Sequence, residues 1–345
     1  MSFKSAVLAV LTLAATAVPA FAGEGKFSAL VFGDAYWMAA NHDSTIEDMN
    51  GLWIRRFYLT YDQKFDDKWS ARLRLEASQP GDFKTAGTVS AFMKDAYLKW
   101  QYKEMHAALI GIQLAPTVET YEDVWGYRSV EKVPVELQGW GVSRDAGIGL
   151  QGDFGASKKV GYHVVVGNGN NVNAENNTRK KAMGAIHIRP ADHVILEGYA
   201  DYDDRVGAGQ GGADRVTWYG FAGYTADKLR AGLQYAKQTR HDVGEDTDYR
   251  IVSGFITGAI SDKVWLFGRV DRNMDANPQG DSIAYLPFAS ISANTFFIAG
   301  ADFAMTDGVN LMPNVEVIKY DDPDVAGPPK PDTDVMARLT FQGKF

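Results

Sequence analysis

Apolar and polar residues alternate with a period of two along most of the chain, in segments of about ten residues separated by polar connections. In 69–77, Trp69, Ala71, Leu73, Leu75 and Ala77 share one face, while Arg72, Arg74 and Glu76 share the other. Ala96, Leu98, Trp100 and Tyr102 likewise oppose Asp95, Tyr97 and Lys99, and Ala146, Ile148, Leu150 and Phe154 oppose Asp145, Gln151 and Asp153. Val194, Leu196, Ala200 and Tyr202 oppose Glu197 and Asp201, and in the last eleven residues Val335, Ala337, Leu339, Phe341, Gly343 and Phe345 oppose Met336, Arg338, Thr340, Gln342 and Lys344. This period predicts β-strands with one apolar and one polar face. The segments 216–225 and 249–260 do not commit to either phase, and the pattern does not set strand boundaries within 283–305.

The connections carry a second pattern. Short turns fall at 65–69, 103–105, 156–158, 190–192, 226–228, 261–263 and 306–308; long polar loops fall between them, at about 41–50, 79–91, 116–143, 168–178, 204–214, 238–248, 273–293 and 321–333. Seven short turns and eight long loops join sixteen strands and leave both termini at the short-turn end. A soluble sandwich shows the same alternation but not this two-sided loop asymmetry. The expected fold is an all-β, transmembrane antiparallel barrel of sixteen strands, with short periplasmic turns, long outer loops and an aqueous lumen.

The ends agree with that reading. Met1–Ala22 has a positive start at Lys4, an apolar stretch from Ala6 to Val18 and a small-x-small site at Ala20-Phe21-Ala22, which predicts a cleaved signal peptide and one barrel domain over 23–345. The terminal Phe345 resembles the mark by which bacterial barrel-assembly machinery recognises its clients. No later stretch approaches the roughly 18 apolar residues of a spanning helix. Aromatics are abundant (8 Trp, 16 Tyr, 18 Phe), as expected of a barrel with interfacial girdles. The net charge of −8 argues against nucleic acid as a partner. These features predict the bacterial outer membrane, with its lipid and lipopolysaccharide, as the setting.

A charge facing lipid at mid-bilayer costs roughly 2–4 kcal/mol, so strand phase predicts which charges face the lumen. Arg56, Arg72, Arg74, Lys99 and Arg338 take the polar phase on the second, third, fourth and sixteenth segments, which become neighbours when the barrel closes. They predict a basic, anion-binding stripe, joined elsewhere by Arg230 and Arg269, with Glu76, Asp95, Glu197 and Glu316 available to neutralise individual members. Arg55 has the opposite phase and is expected at the outer rim. An anion about 6 Å from one unpaired guanidinium gains ~3 kcal/mol at an effective dielectric near 20, so a modest local excess sets a preference.

Chemistry of other kinds finds little support. The six histidines form no H-E-x-x-H pair and no serine sits in a G-x-S-x-G elbow, so no enzyme, catalytic residue or cofactor is expected. Gly207, Gly209 and Gly212 have dinucleotide-motif spacing but lie in an outer loop. Asp271, Asn273, Asp275 and Asn277 alternate as in a calcium loop, yet Ala276 and Ser282 stand where glycine and glutamate are required, and no metal is assigned.

With the strands placed, the stretch from about Ile54 to Gly152 resembles the phosphate-selective porins. The matching pieces are Ile54–Leu59, Phe65–Ser70, Lys94–Leu98, Gly111–Pro116 and Arg144–Gly152. The resemblance implies a trimeric porin for passive diffusion of small anions such as phosphate, with a third outer loop folded into the lumen as a constriction. That loop would be 116–143, with Arg128, Lys132 and Glu119 among its charged residues. The family's lumen is richer in basic residues, and Gly139-Trp140-Gly141 has no family counterpart. A barrel serving as sheath or docking shell for a partner protein is the alternative, and an outer-membrane barrel hydrolase a further one.

Overall fold

The computed structural model describes residues 24–155, 157–205, 212–241, 245–323 and 327–345. The expected signal segment, and Gly207 and Gly209 of the glycine motif, lie outside them. Sixteen strands follow one another. β1 (Glu24–Ala40), β2 (Asn50–Lys64), β3 (Trp69–Ser78), β4 (Ser90–Lys103) and β5 (His106–Leu114) precede the longest connection. β6 (Arg144–Phe154), β7 (Val160–Gly167), β8 (Lys181–Ile188), β9 (Val194–Asp203), β10 (Asp214–Ala226) and β11 (Leu229–His241) come next. β12 (Asp246–Ser261), β13 (Val264–Asn273), β14 (Asn294–Thr306), β15 (Val309–Tyr320) and β16 (Asp334–Lys344) complete the chain. Each pairs antiparallel with its sequence neighbours, and β1 pairs with β16 to close a barrel.

The alternation decides which face meets the membrane. Leu73, Leu98, Ile110, Ile148, Val166, Ile186, Leu233 and Ile256 point outward and stay exposed, an apolar belt that requires lipid around it. Near the short turns the belt ends in aromatic rings: Trp69 stacks on Trp100 at 5.9 Å and Phe154 lies 5.3 Å from Tyr162. Closure leaves no unpaired sheet edge in the membrane, the condition for spanning it with strands.

One connection differs from expectation. The loop expected at 238–248 shrinks, because β11 runs to His241 and β12 starts at Asp246. The ladder continues through Arg240↔Thr247 and His241↔Asp246, held laterally by Lys237–Asp248 at 2.7 Å and His241–Asp246 at 2.9 Å. Cross-strand pairs of opposite charge favour strand pairing over an open loop.

Of the register shifts along the described strands, those in β2 and β4 change which charges face inward. Phe32 pairs with Arg56 and Gly33 with Ile54, which leaves Arg55 as the extra residue of β2. Arg74 pairs with Asp95 and Leu75 with Met93, which leaves Lys94 extra in β4. A bulge lets two consecutive side chains face the same side. Arg55, expected at the lipid-facing rim by phase, is therefore turned inward and is 2% exposed.

The connection 115–143 does not stand out into solvent. It enters the barrel and forms two short helices, α1 (Glu119–Trp125) and α2 (Pro134–Leu137). Gly126 ends α1 in the left-handed region at φ 74°, where glycine is favoured, and its N–H returns to Glu122 O at 2.9 Å. Inward-facing Phe221, Phe255 and Phe267 of β10, β12 and β13 receive Tyr121, Trp125 and Tyr127, with ring separations between 4.5 and 6.1 Å. Val130, Val133, Val135 and Leu137 complete a dry core inside the barrel. Loop 274–293 also folds back: Tyr285 packs 5.0 Å from Trp53, and its hydroxyl donates to Gln79 O at 2.6 Å.

Candidate functional site

Three buried arginines of the wall hold the infolded loop by its backbone. Arg55 donates to Val130 O at 2.7 Å, Arg338 to Val130 O at 2.9 Å, and Arg269 to Lys132 O at 2.6 Å. Each charge is paired as well. Arg55 meets Glu131 at 3.2 Å and Asp34 at 3.3 Å, Arg338 pairs with Glu316, and Arg269 pairs with Asp271. Buried ions persist only when paired and hydrogen-bonded, and here the loop supplies both carbonyls and a carboxylate. Burial pushes the Glu131 carboxyl up, but Arg55 and Arg338 outweigh it and hold it at about 2.

On the other side of the loop the lumen wall is charged and partly exposed. Arg56 pairs with Glu76 at 2.7 Å, and Lys94 reaches the second oxygen of Glu76 at 3.0 Å. Arg74 pairs with Asp95 at 3.2 Å and bonds Thr60 at 2.8 Å, while Arg144 takes the other Asp95 oxygen. Facing them from the loop, Arg128 lies between Glu136 at 3.2 Å and Glu122 at 3.7 Å. Lys132 belongs to the same group: burial lowers its ammonium to about 8, with Arg56 and Arg128 adding to the push against Glu136 and Glu131. Glu136 is raised by burial but drawn down to about 2 by Arg128, Lys132 and Lys94. Six cations (Arg56, Arg74, Lys94, Arg128, Lys132 and Arg144) thus share four carboxylates (Glu76, Asp95, Glu122 and Glu136).

A separate cavity of about 790 Å³ lies toward the short turns. Lys99, Lys159 and Arg189 line it together with Glu119, Asp123, Asp153 and Glu197. Glu119 bonds His163 at 3.0 Å, which keeps its carboxyl below the usual range despite burial.

The residues expected from sequence are distributed as follows. Arg56 and Arg74 stand in the charged passage, and Lys99 lines the cavity with no ion pair among the described residues. Arg72 is nearer the short turns and is held by Asp62 through two contacts of 2.7 and 3.0 Å. Arg338 faces inward but is covered by the loop, out of reach of solute. Arg128 and Lys132 border the passage, whereas Glu119 borders the cavity. Of the predicted neutralising carboxylates, Glu76, Asp95 and Glu316 pair as expected; Glu197 instead accepts from Thr120 and, at 2.9 Å, from Tyr219. Asp271, Asn273, Asp275 and Asn277 serve four different partners: Arg269, Asn294, Arg250 and Gln138.

Strand phase alone missed Arg55 and Lys94. The signal was present as adjacent charges, Arg55-Arg56 and Lys94-Asp95. A regular strand would put one of each pair in lipid, so a bulge is the inexpensive solution.

No family model matches the chain, and no curated protein matches it. Solved structures do. The anion-selective porin from Comamonas acidovorans superposes with a TM-score of 0.68 at 13% identity, covering 94% of this chain and 100% of that one. Salmonella typhi OmpF, in complex with daunomycin, gives 0.67 at 11% identity over 95% and 99%. The outer membrane channel DcaP of Acinetobacter baumannii gives 0.65 at 12% identity, again over 95% and 99%. At these identities the likeness shows the fold, a closed sixteen-stranded porin-like barrel.

Proposed function

We propose that the protein is a porin of the bacterial outer membrane, exported by a signal peptide over 1–22, that passes small solutes by diffusion and favours anions. The observation that carries this reading is the asymmetric lumen. Loop 115–143 seals the side of β10–β16 with apolar packing and directs solute along the side of β2–β6, where cations outnumber carboxylates. A guanidinium that shares its carboxylate keeps N–H groups free for a passing oxyanion. A sheath for a partner protein would need the space that the loop fills.

The named solute is inorganic phosphate, and the assembly a homotrimer; both sharpen the porin reading and rest on the resemblance. The deciding measurement is the zero-current potential of the purified protein in a planar bilayer under a potassium chloride gradient, repeated with phosphate added. An anion-favouring potential with steps blocked by low phosphate is expected. A cation-favouring potential overturns the selectivity, steps indifferent to phosphate overturn the named solute, and absence of steps overturns the porin.

A further inference from the structure

The cavity at the short-turn end holds carboxylates that the chain leaves without a cation. α1 presents Glu119, Thr120, Asp123 and Val124 to it. Glu119 and Asp123 stand four residues apart on one helical face, a like-charge pair that destabilises a helix unless something compensates. Glu197 of β9 lines the same cavity and is 6% exposed. It accepts from the Thr120 hydroxyl and, at 2.9 Å, from the Tyr219 hydroxyl, both of them neutral donors. No lysine or arginine among the described residues forms an ion pair with Glu119, Asp123 or Glu197. A buried carboxylate is ordinarily compensated by a cation, and here the protein supplies none.

The polar groups left over at this end are acceptors. An ionised Glu119 only accepts, so its 3.0 Å bond to His163 puts the imidazole proton on Nδ1. Nε2 of the neutral ring is then a second acceptor. His163 lines the cavity at 7% exposure, and its Nε2 is buried without a partner. Asp123 is exposed at the cavity and makes no hydrogen bond or ion pair among the described residues. Also among the described residues, no three histidines or carboxylates stand together as the ligands of a metal ion would. The missing partner is therefore an organic cation that donates hydrogen bonds.

We propose that the α1 side of this cavity binds the primary ammonium group of a small solute, with Asp123 and Glu119 supplying charge and His163 Nε2 a neutral acceptor. An ammonium carries three N–H donors and no acceptor, the complement of a site with acceptors and no free donor. Placed there it also relieves the like charges on α1 and lies beside Glu197. The site is separate from the basic passage along β2–β6, and the proposal goes beyond the porin reading without depending on its anion preference. Two sources carry this group: a simple amine, and an amino acid whose carboxylate meets Lys99, which lines the same cavity with no ion pair.

The test is calorimetric titration of the folded full mature chain in a non-ionic detergent at low salt, with butylammonium as probe. Saturable binding is expected, about tenfold tighter than that of tetramethylammonium, which has the charge but no N–H. Asp123→Asn should weaken butylammonium binding about tenfold, and the fold should survive because this side chain holds nothing else. Asp192→Asn, at an exposed carboxylate in the turn that borders the cavity, should change it less than about twofold. No saturable binding of butylammonium, equal binding of the two cations, or equal effects of the two variants overturns the proposal. 4-Aminobutyrate then separates the sources, and either result keeps the site. Tighter binding than butylammonium, lost in Lys99→Gln, assigns an amino acid; weaker binding assigns a simple amine. The readout needs no conduction. Binding without conducting steps keeps the site and removes the porin reading, and conducting steps without binding do the reverse.

Discussion

The two sides of the lumen are made from the same kind of strand and have opposite interiors. Along β2–β6 the inward positions carry Arg56, Arg72, Arg74, Glu76, Asp95 and Lys99, and they face water or one another. Along β10–β13 the inward positions carry Phe221, Phe255 and Phe267, which face the rings of α1, and Tyr219, which stacks on Tyr199 and bonds Thr117 O just before the helix. The first side obeys the rule of a hydrated barrel, apolar outside and polar inside. The second carries large aromatic rings on its inner face as well, because part of that face is covered by protein, with polar residues such as Arg269 and Asp271 buried beside them. A barrel wall can thus be read as wet or dry from its inner positions, and the dry wall marks where a loop docks.

The difference is most directly broken at Trp125. Its ring fills the space between Phe255 and Phe267 and is fully buried. Trp125→Ala should cost about 3–5 kcal/mol. The loss should appear as a lower temperature of heat modification in the folded barrel, with larger and noisier single-channel currents as the loop loosens. An unchanged conductance would mean the dry wall does not fix the loop.

Glu131→Gln attacks the same anchorage through charge. Asp34 and Glu316 remain for Arg55 and Arg338, so the expected loss is about 3 kcal/mol, at the low end for a broken buried pair. The sign with pH follows from the lowered carboxyl. Its contribution is complete above the ordinary value of 4.5 and disappears as pH falls through about 2, so the wild type should lose stability across that window. Denaturation midpoints measured across it should show a smaller acid loss in the variant.

The wet side should respond in selectivity and not in stability. Arg56→Gln with Arg144→Gln brings the group to four cations and four carboxylates, yet Glu76 keeps Lys94 and Asp95 keeps Arg74. The chloride-to-potassium permeability ratio should fall about three- to tenfold. Arg72→Gln with Asp62→Asn removes a closed pair and should change the ratio less than about twofold. Equal effects from both double variants would show that all lumen charges act alike and that the shared carboxylates are not special.

Most of the barrel was legible because lipid imposes a strict period of two, and the loop asymmetry then counted the strands. The segments 216–225 and 249–260 resisted phasing for a physical reason now visible. With Trp218 outside and Phe221 inside, and with Ile256 outside and Phe255 inside, both faces are apolar. Arg55 and Lys94 resisted because a bulge resets the phase inside a strand. Arg338 was placed on the correct face, but phase does not report what covers a residue. The clamp on Val130 O and Lys132 O joins residues between 75 and 208 positions apart, so no local pattern carried it.

Lys132 offers a small effect and the finest separation of the two sides, because it is anchored by the dry wall through its carbonyl and lends its ammonium to the wet one. With its ammonium lowered to about 8, it is charged below that pH and neutral above it. The loss of one cation of six should lower the anion preference about twofold as pH rises through 8. The thermodynamic sign runs the other way: between about 8 and the ordinary 10.5 the unfolded chain binds the extra proton, so this group makes the fold more stable as pH rises. A selectivity that falls while the heat-modification temperature holds or climbs is therefore specific to this lysine and is not early unfolding. Lys132→Arg keeps the charge throughout and should flatten the permeability ratio across the same range. If the ratio still falls in that variant, the titrating group lies elsewhere on the wall.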